Sequence, residues 1–224
     1  MIEVYLEEGT KRTFAGAVEW PGWCRSGRDA DSALRALVES GPRYAQIVRA
    51  ADPSLRPPAD IAELKVVERL EGDAGTDFGA PSIIPAADAR PVDDAELARL
   101  QALLRACWAA LDAAVRDAAG VELRKGPRGG GRELEAIQSH VQDAERGYLA
   151  RLAWKPGRDS APTPEEERER LRQAALDAVA AAAHGETPAR GPRGGVIWPP
   201  RYFVRRAAWH VLDHVWEIAE RRVE

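Results

Sequence analysis

The chain has 224 residues, of which 45% are hydrophobic and 30% charged, with a formal charge of −4. This balance is ordinary for a soluble globular protein, and its acidic sign argues against a dedicated nucleic-acid binder. The two cysteines, Cys24 and Cys107, stand in no metal-type spacing and imply no disulfide framework.

No apolar run approaches the length of a membrane span. The first residues, MIEVYLEEGTKR, are acidic and lack the apolar core of a signal peptide. A cytoplasmic protein with reduced thiols is expected.

In chain order, Glu3 to Glu7 alternate around Val4 and Leu6, Gly9 supplies a turn, and Thr13 to Trp20 alternate again. Two such runs predict a β-hairpin, closed by Pro21-Gly22. A helix follows, with Asp29 or Asp31 as its cap and Ala33, Leu34, Leu37 and Val38 as its stripe. Gly41-Pro42 is expected to interrupt it, with a second helical stretch from about Arg43 to Ala51. Prolines 53, 57 and 58 mark a loop, and the run ELKVVERL (63–70) reads as a further strand. The sum is a small α+β unit, ββαβ-like, over residues 1–72. An exposed Trp20/Trp23 pair would mark a contact surface on it.

Residues 73–92 are rich in Gly, Ala, Asp and Pro and read as a linker. Within it, Phe78, Ile83 and Ile84 are apolar enough to dock onto a neighbouring unit. From Asp93 to the end the pattern is helical. The first helix, Asp93 to Ala119, carries Leu97, Leu100, Leu103, Leu104, Trp108, Leu111 and Val115 at three- and four-residue steps. A second runs from about Gly131 to Trp154. A third starts at a Thr163 cap with Glu166 as capping-box partner and ends near His184. A fourth runs from about Pro200 to Arg222. Four such helices over residues 93–224 predict a four-helix bundle, its core filled by Trp108, Trp154, Trp209 and Trp216.

The run GPRGG occurs twice, at 126–130 and 191–195, each time ahead of a helix. It suggests two related helical hairpins, and its glycines and arginine leave anion binding open beside a simple connecting role. Each following helix carries a histidine about ten residues in, His140 and His210. If these helices run parallel, as in an up-and-down bundle, the two imidazoles lie at one level.

His210 and His214, at i, i+4, share one helix face. An HxxxH pair alone also fits hydrogen-bonded core histidines. A third histidine at matching depth points instead to a divalent metal on three imidazole nitrogens, with coordination positions left open. The motif reads HVLDH, without the glutamate of HExxH proteases. Asp143 and Glu217, three residues from His140 and His214, are the best-placed carboxylates. Glu145 and Asp213 point elsewhere but are candidates to orient an imidazole. His184, at a helix C-terminus, reads as structural.

The region from Asp93 to Glu224 resembles the DinB/YfiT-type bacterial metal-binding four-helix bundles. The residues that carry the resemblance are His140 in IQSHVQDAERGYLARL, with Glu145 and Tyr148, and His210 and His214 in AAWHVLDHVWEIAER. It implies one divalent ion, zinc or nickel, on His140, His210 and His214, and thiol-dependent transferase or hydrolase-like chemistry. The run FAGAVEWPGWCRSGRDADSALRALVES resembles, more weakly, the HicB-like α+β module. The expectation is a metal-dependent enzyme acting on a small-molecule or thiol substrate, and a homodimer. The alternative is a non-enzymatic interaction or regulatory protein whose N-terminal module dimerises or binds a partner.

Overall fold

A computed structural model of the chain describes residues 1–125, 131–155, 163–191 and 195–222. An N-terminal mixed sheet with one long helix is followed by a helical C-terminal part, as the sequence pattern predicts. The first GPRGG run and the middle three residues of the second lie outside the described residues. Strands β1 (Ile2–Glu8) and β2 (Thr13–Ala17) form the antiparallel hairpin. β3 (Cys24–Gly27) pairs with β2. β4 (Leu64–Glu71), the strand expected from ELKVVERL, lies parallel to β1, giving the order β3-β2-β1-β4. The sequence pattern did not indicate β3, because CRSG has no alternation to read.

Helix α1 (Ala30–Val48) packs its Ala33 and Leu37 with Val4 and Leu6 of β1. Asp29 caps it by accepting from the Ser32 amide at 2.8 Å, and the Ser32 hydroxyl closes the capping box. The expected break at Gly41-Pro42 does not occur, and α1 runs through both residues. Trp23 supplies the reason. Its indole stacks on Tyr44 at 5.5 Å and donates to the Leu37 carbonyl at 3.0 Å. A Cβ on residue 41 would stand 3.0 Å from its ring, so Gly41 makes room for the indole. Packing on both sides of Pro42 holds the helix through a residue that would otherwise end it. Trp20 and Trp23 are both buried and form no exposed contact surface.

The other sheet face carries Tyr5 and Glu7. Residues 73–92 form a short helix, α2 (Ala74–Phe78), and a 3-10 turn at Ala86–Ala89. The buried Glu7 carboxylate accepts from the Thr76 hydroxyl (2.5 Å) and from the amides of Ser82 (2.9 Å) and Ile83 (3.3 Å). Phe78, expected to dock, is 89% exposed. Thr76 is the residue of α2 that faces the sheet, and a side chain two positions on points away.

The bundle consists of α3 (Asp94–Asp117), α4 (Leu134–Arg151), α5 (Pro164–Ala183) and α6 (Pro200–Arg221). The Thr163–Glu166 capping box is present. Helices α3 and α6 run the same way, since Glu96 pairs with Arg201 near their starts and Leu123 bridges Arg222 beyond their ends. Helix α4 runs against α6: Arg132 meets Arg221, while the Arg151 carbonyl accepts from the Trp198 amide. Helix α5 runs against α3, with His184 at Asp94 and Arg172 at Asp112. The order is up, down, down, up. The parallel α4–α6 pairing expected from an up-and-down bundle is therefore wrong.

Three of the four tryptophans placed in the bundle core are fully buried, but two of them face the sheet unit. Trp209 meets Phe14 edge-on at 6.0 Å, and Trp216 lies under the guanidinium groups of Arg43 (4.5 Å) and Arg25 (5.3 Å). Buried side chains of sheet, α1 and all four bundle helices form one continuous core.

Arg205 joins these parts. It donates to Asp88 through Nε (2.7 Å) and Nη2 (2.8 Å), and to the carbonyls of Ala17 (2.7 Å) and Val18 (2.6 Å). Arg205→Met would strand the buried Asp88 carboxylate, and we expect a loss of about 3–5 kcal/mol in urea unfolding. Adding Asp88→Leu should recover much of that loss, because both charges are then gone. A single-variant loss under ~1 kcal/mol would show that the pair does not hold the parts together.

Candidate metal centre

The three histidines singled out in the sequence meet at one place. His210 and His214 lie one turn apart on α6, and His140 faces them from α4. The Nε2 atoms of His210 and His140 are 3.2 Å apart, and those of His210 and His214 are 3.3 Å apart. One ligand nitrogen from each lies within 4.8 Å of the others. His210 and His214 are buried and His140 is partly exposed, so the cluster opens on the α4 side. The equal-depth count named the right residues for the wrong reason. In the antiparallel pair, His140 sits six residues after Leu134, and its level is matched by His214, seven residues before Arg221.

The hydrogen-bond chemistry favours a cation at that point. The Nδ1–H of His214 donates to Glu217 at 2.8 Å, which leaves the His214 Nε2 as a bare lone pair aimed at His210. A neutral Nε2 on His210 carries either one hydrogen or one lone pair, so it pairs well with only one of its two neighbours. A cation accepts all three lone pairs together. Two nitrogens at about 2.0–2.1 Å from a tetrahedral ion stand about 3.4 Å apart, close to the spacing present. The buried Nδ1 of His210 has no hydrogen-bond partner, so nothing among the described residues sets its tautomer.

Glu217 is held in turn by Arg221 Nη1 at 2.7 Å, and Arg221 also donates to the carbonyls of Arg124 (2.8 Å) and Arg132 (2.9 Å). The His214 and Arg221 hydrogen bonds hold the Glu217 carboxyl below its usual range. This is the carboxylate–histidine arrangement that orients a metal ligand and raises its basicity. Of the other carboxylates weighed, Asp143 pairs with Arg146 and Asp213 is exposed. Glu145 is buried and accepts from the Trp108 indole at 2.6 Å, and burial pushes its carboxyl up to about 7. His184 contacts Asp94 at 3.2 Å, away from the cluster.

An aromatic wall flanks the histidines. Tyr148 meets His210 edge-on at 5.9 Å, Trp198 lies 5.5 Å from Tyr148, and Tyr202 4.9 Å from Trp198. Arg206 and Arg221 were not singled out in the sequence. Their signal was there: both fall on the stripe of His210 and His214, one turn before it and one turn beyond Glu217. No family model matches the chain, and neither a curated protein nor a solved structure matches it.

Burial above all, with the neighbouring His214 and the positive charge of Arg206, drives the His210 imidazole down to about 2. Burial also lowers His140. The unfolded chain protonates His210 near pH 6.5, whereas the metal-free fold does not. The stability this group contributes is complete above that pH and is lost as pH falls below it, by up to ~1.4 kcal/mol per pH unit for one proton. Between pH 7 and 5, metal-free wild type should therefore lose more stability than His210→Gln, followed by urea unfolding. Equal pH slopes would overturn the assignment.

Proposed function

We propose that this chain is a divalent-metal protein of the DinB/YfiT kind, and that it is a metal-dependent enzyme acting on a small molecule. The observation that carries the reading is the convergence of three Nε2 atoms, 3.2 and 3.3 Å apart in the two closest pairs, with one imidazole backed by Glu217. Three neutral nitrogen ligands leave at least one coordination position open, as in catalytic rather than structural zinc sites. Zinc or nickel suits an all-imidazole donor set.

His140, His210 and His214 would hold the ion. When bound, it would lower the pKa of a coordinated water or thiol and polarise a substrate. Glu217 keeps His214 in the tautomer that presents Nε2. Tyr148 and Trp198 shield one side of the centre from water and offer flat apolar surface to a substrate, with the buried Tyr202 packed behind Trp198. No side chain in HVLDH supplies a general base next to the first histidine. A coordinated hydroxide or thiolate of the substrate fits the reading better than protease chemistry. The thiol-dependent transferase or hydrolase-like activity implied by the resemblance is the reaction class to test first.

The untagged protein, reconstituted with zinc or nickel and freed of excess ion, should hold one equivalent by elemental analysis. His210→Ala should hold close to none. Glu217→Gln should keep the site with about 10- to 100-fold weaker affinity, the usual effect of removing a partner behind a ligand. Negligible metal in reconstituted wild type would overturn the reading.

A further inference from the structure

Arg206 lies on α6 one turn before His210, so Arg206, His210 and His214 follow one another at four-residue steps, about 6 Å of helix rise each. Its guanidinium sits 4.5 Å over the Trp209 ring and 5.4 Å from that of Tyr148, the ring that meets His210 edge-on. The side chain is partly buried, and its Nη1 is buried with no hydrogen-bond acceptor.

Its neighbours on the same helix are different. Arg201 pairs with Glu96, Arg205 with Asp88 and Arg221 with Glu217. Among the described residues no carboxylate forms an ion pair with Arg206. A desolvated guanidinium donor without an acceptor is costly, and stacking on two rings satisfies the charge but not the N–H.

The charge around the histidines adds a second argument. Three neutral imidazoles leave a divalent ion uncompensated, and Arg206 adds another positive charge beside His210. Among the described residues the one carboxylate bonded to the triad, Glu217, is already shared with Arg221. A ligand carrying negative charge is what this arrangement lacks. Arg is also the side chain whose planar fork best matches an oxyanion.

We propose that Arg206 is a specificity-determining residue that binds the oxyanion of a small, flat substrate, its carboxylate or phosphate, while the other end of the molecule reaches the three-histidine centre. The metal end of this arrangement rests on the function proposed above, whereas the anion end rests on Arg206 alone. Tyr148 and Trp198, both partly exposed beside the histidines, suit an aromatic or otherwise planar body.

Isonicotinate and isonicotinamide test this. They share a pyridine nitrogen that can ligate a metal and differ by one charge at the para position, where the group cannot reach the same ion. With the cobalt(II)-loaded protein, visible absorption should show isonicotinate binding at least ~10-fold tighter than isonicotinamide. Arg206→Gln should bring that ratio close to one and leave the isonicotinamide constant unchanged. Arg206→Lys should keep part of the preference.

The same titrations on the metal-free protein, by calorimetry, should show a weaker preference with the same dependence on Arg206. If cobalt does not bind, the metal reading fails, and the metal-free titrations still decide the role of Arg206. Equal binding of the two probes by wild type overturns the proposal, and so does an undiminished preference in Arg206→Gln. Failure of both probes to bind in either state overturns it as well.

Discussion

Arg205 carries its charge in the second turn of α6, out of contact with water. A guanidinium there is tolerable only when its donors are largely met, and here Asp88 takes two of them while the carbonyls of Ala17 and Val18 take two more. Three stretches distant in the chain are thereby pinned to one point: the end of β2, the turn after α2, and α6. Because an α-helix is stiff at 1.5 Å and 100° per residue, fixing Arg205 also fixes the depth and rotation of every later residue of α6. His210 follows five residues on and His214 nine. The sheet unit thus acts on the candidate metal centre without touching it, through the register of one helix. Trp209 reinforces this, since it packs against Phe14 and Cys24 and is the neighbour of His210 in the chain.

The sequence showed most of what depends on local periodicity. The spans of the four bundle helices, the Asp29 and Thr163 caps, the hairpin and the i, i+4 pair at His210 and His214 could all be read from residue spacing, because the physics that produces them acts within a few residues. Helix direction could not be read this way. An apolar stripe looks the same in either direction, so nothing in the pattern of α4 said that it runs against α6. His140 was found by counting depth from the wrong end. Its true partner in level is His214, and a triad results because both helices carry their histidines near the end they share.

The remaining misses have one cause: a residue's role was set by a partner far away in the chain. Gly41-Pro42 reads as a helix break until Trp23, eighteen residues before Gly41, is placed against that glycine. Asp88 sits in a stretch with the composition of a linker and is one of the most buried carboxylates in the fold, because Arg205 lies 117 residues further on. Trp209 and Trp216 were correctly read as buried. Periodicity could not say that the surface burying them belongs to the N-terminal unit.

The contrast between Arg205 and Arg206 follows from the same helix geometry. Adjacent residues on a helix point about 100° apart, so one arginine enters the buried seam with the sheet and the next turns toward the histidines. The first finds a carboxylate and two carbonyls. Among the described residues the second finds aromatic faces and no carboxylate. Glu217, among the described residues the one carboxylate bonded to the triad, is oriented by Arg221 toward the back of His214, where it serves the imidazole and not the space in front of the nitrogens. The protein therefore presents nitrogen lone pairs and a guanidinium side by side on one helix face. A bare cation meets only part of that demand. A cation together with an anionic ligand that reaches Arg206 would meet all of it.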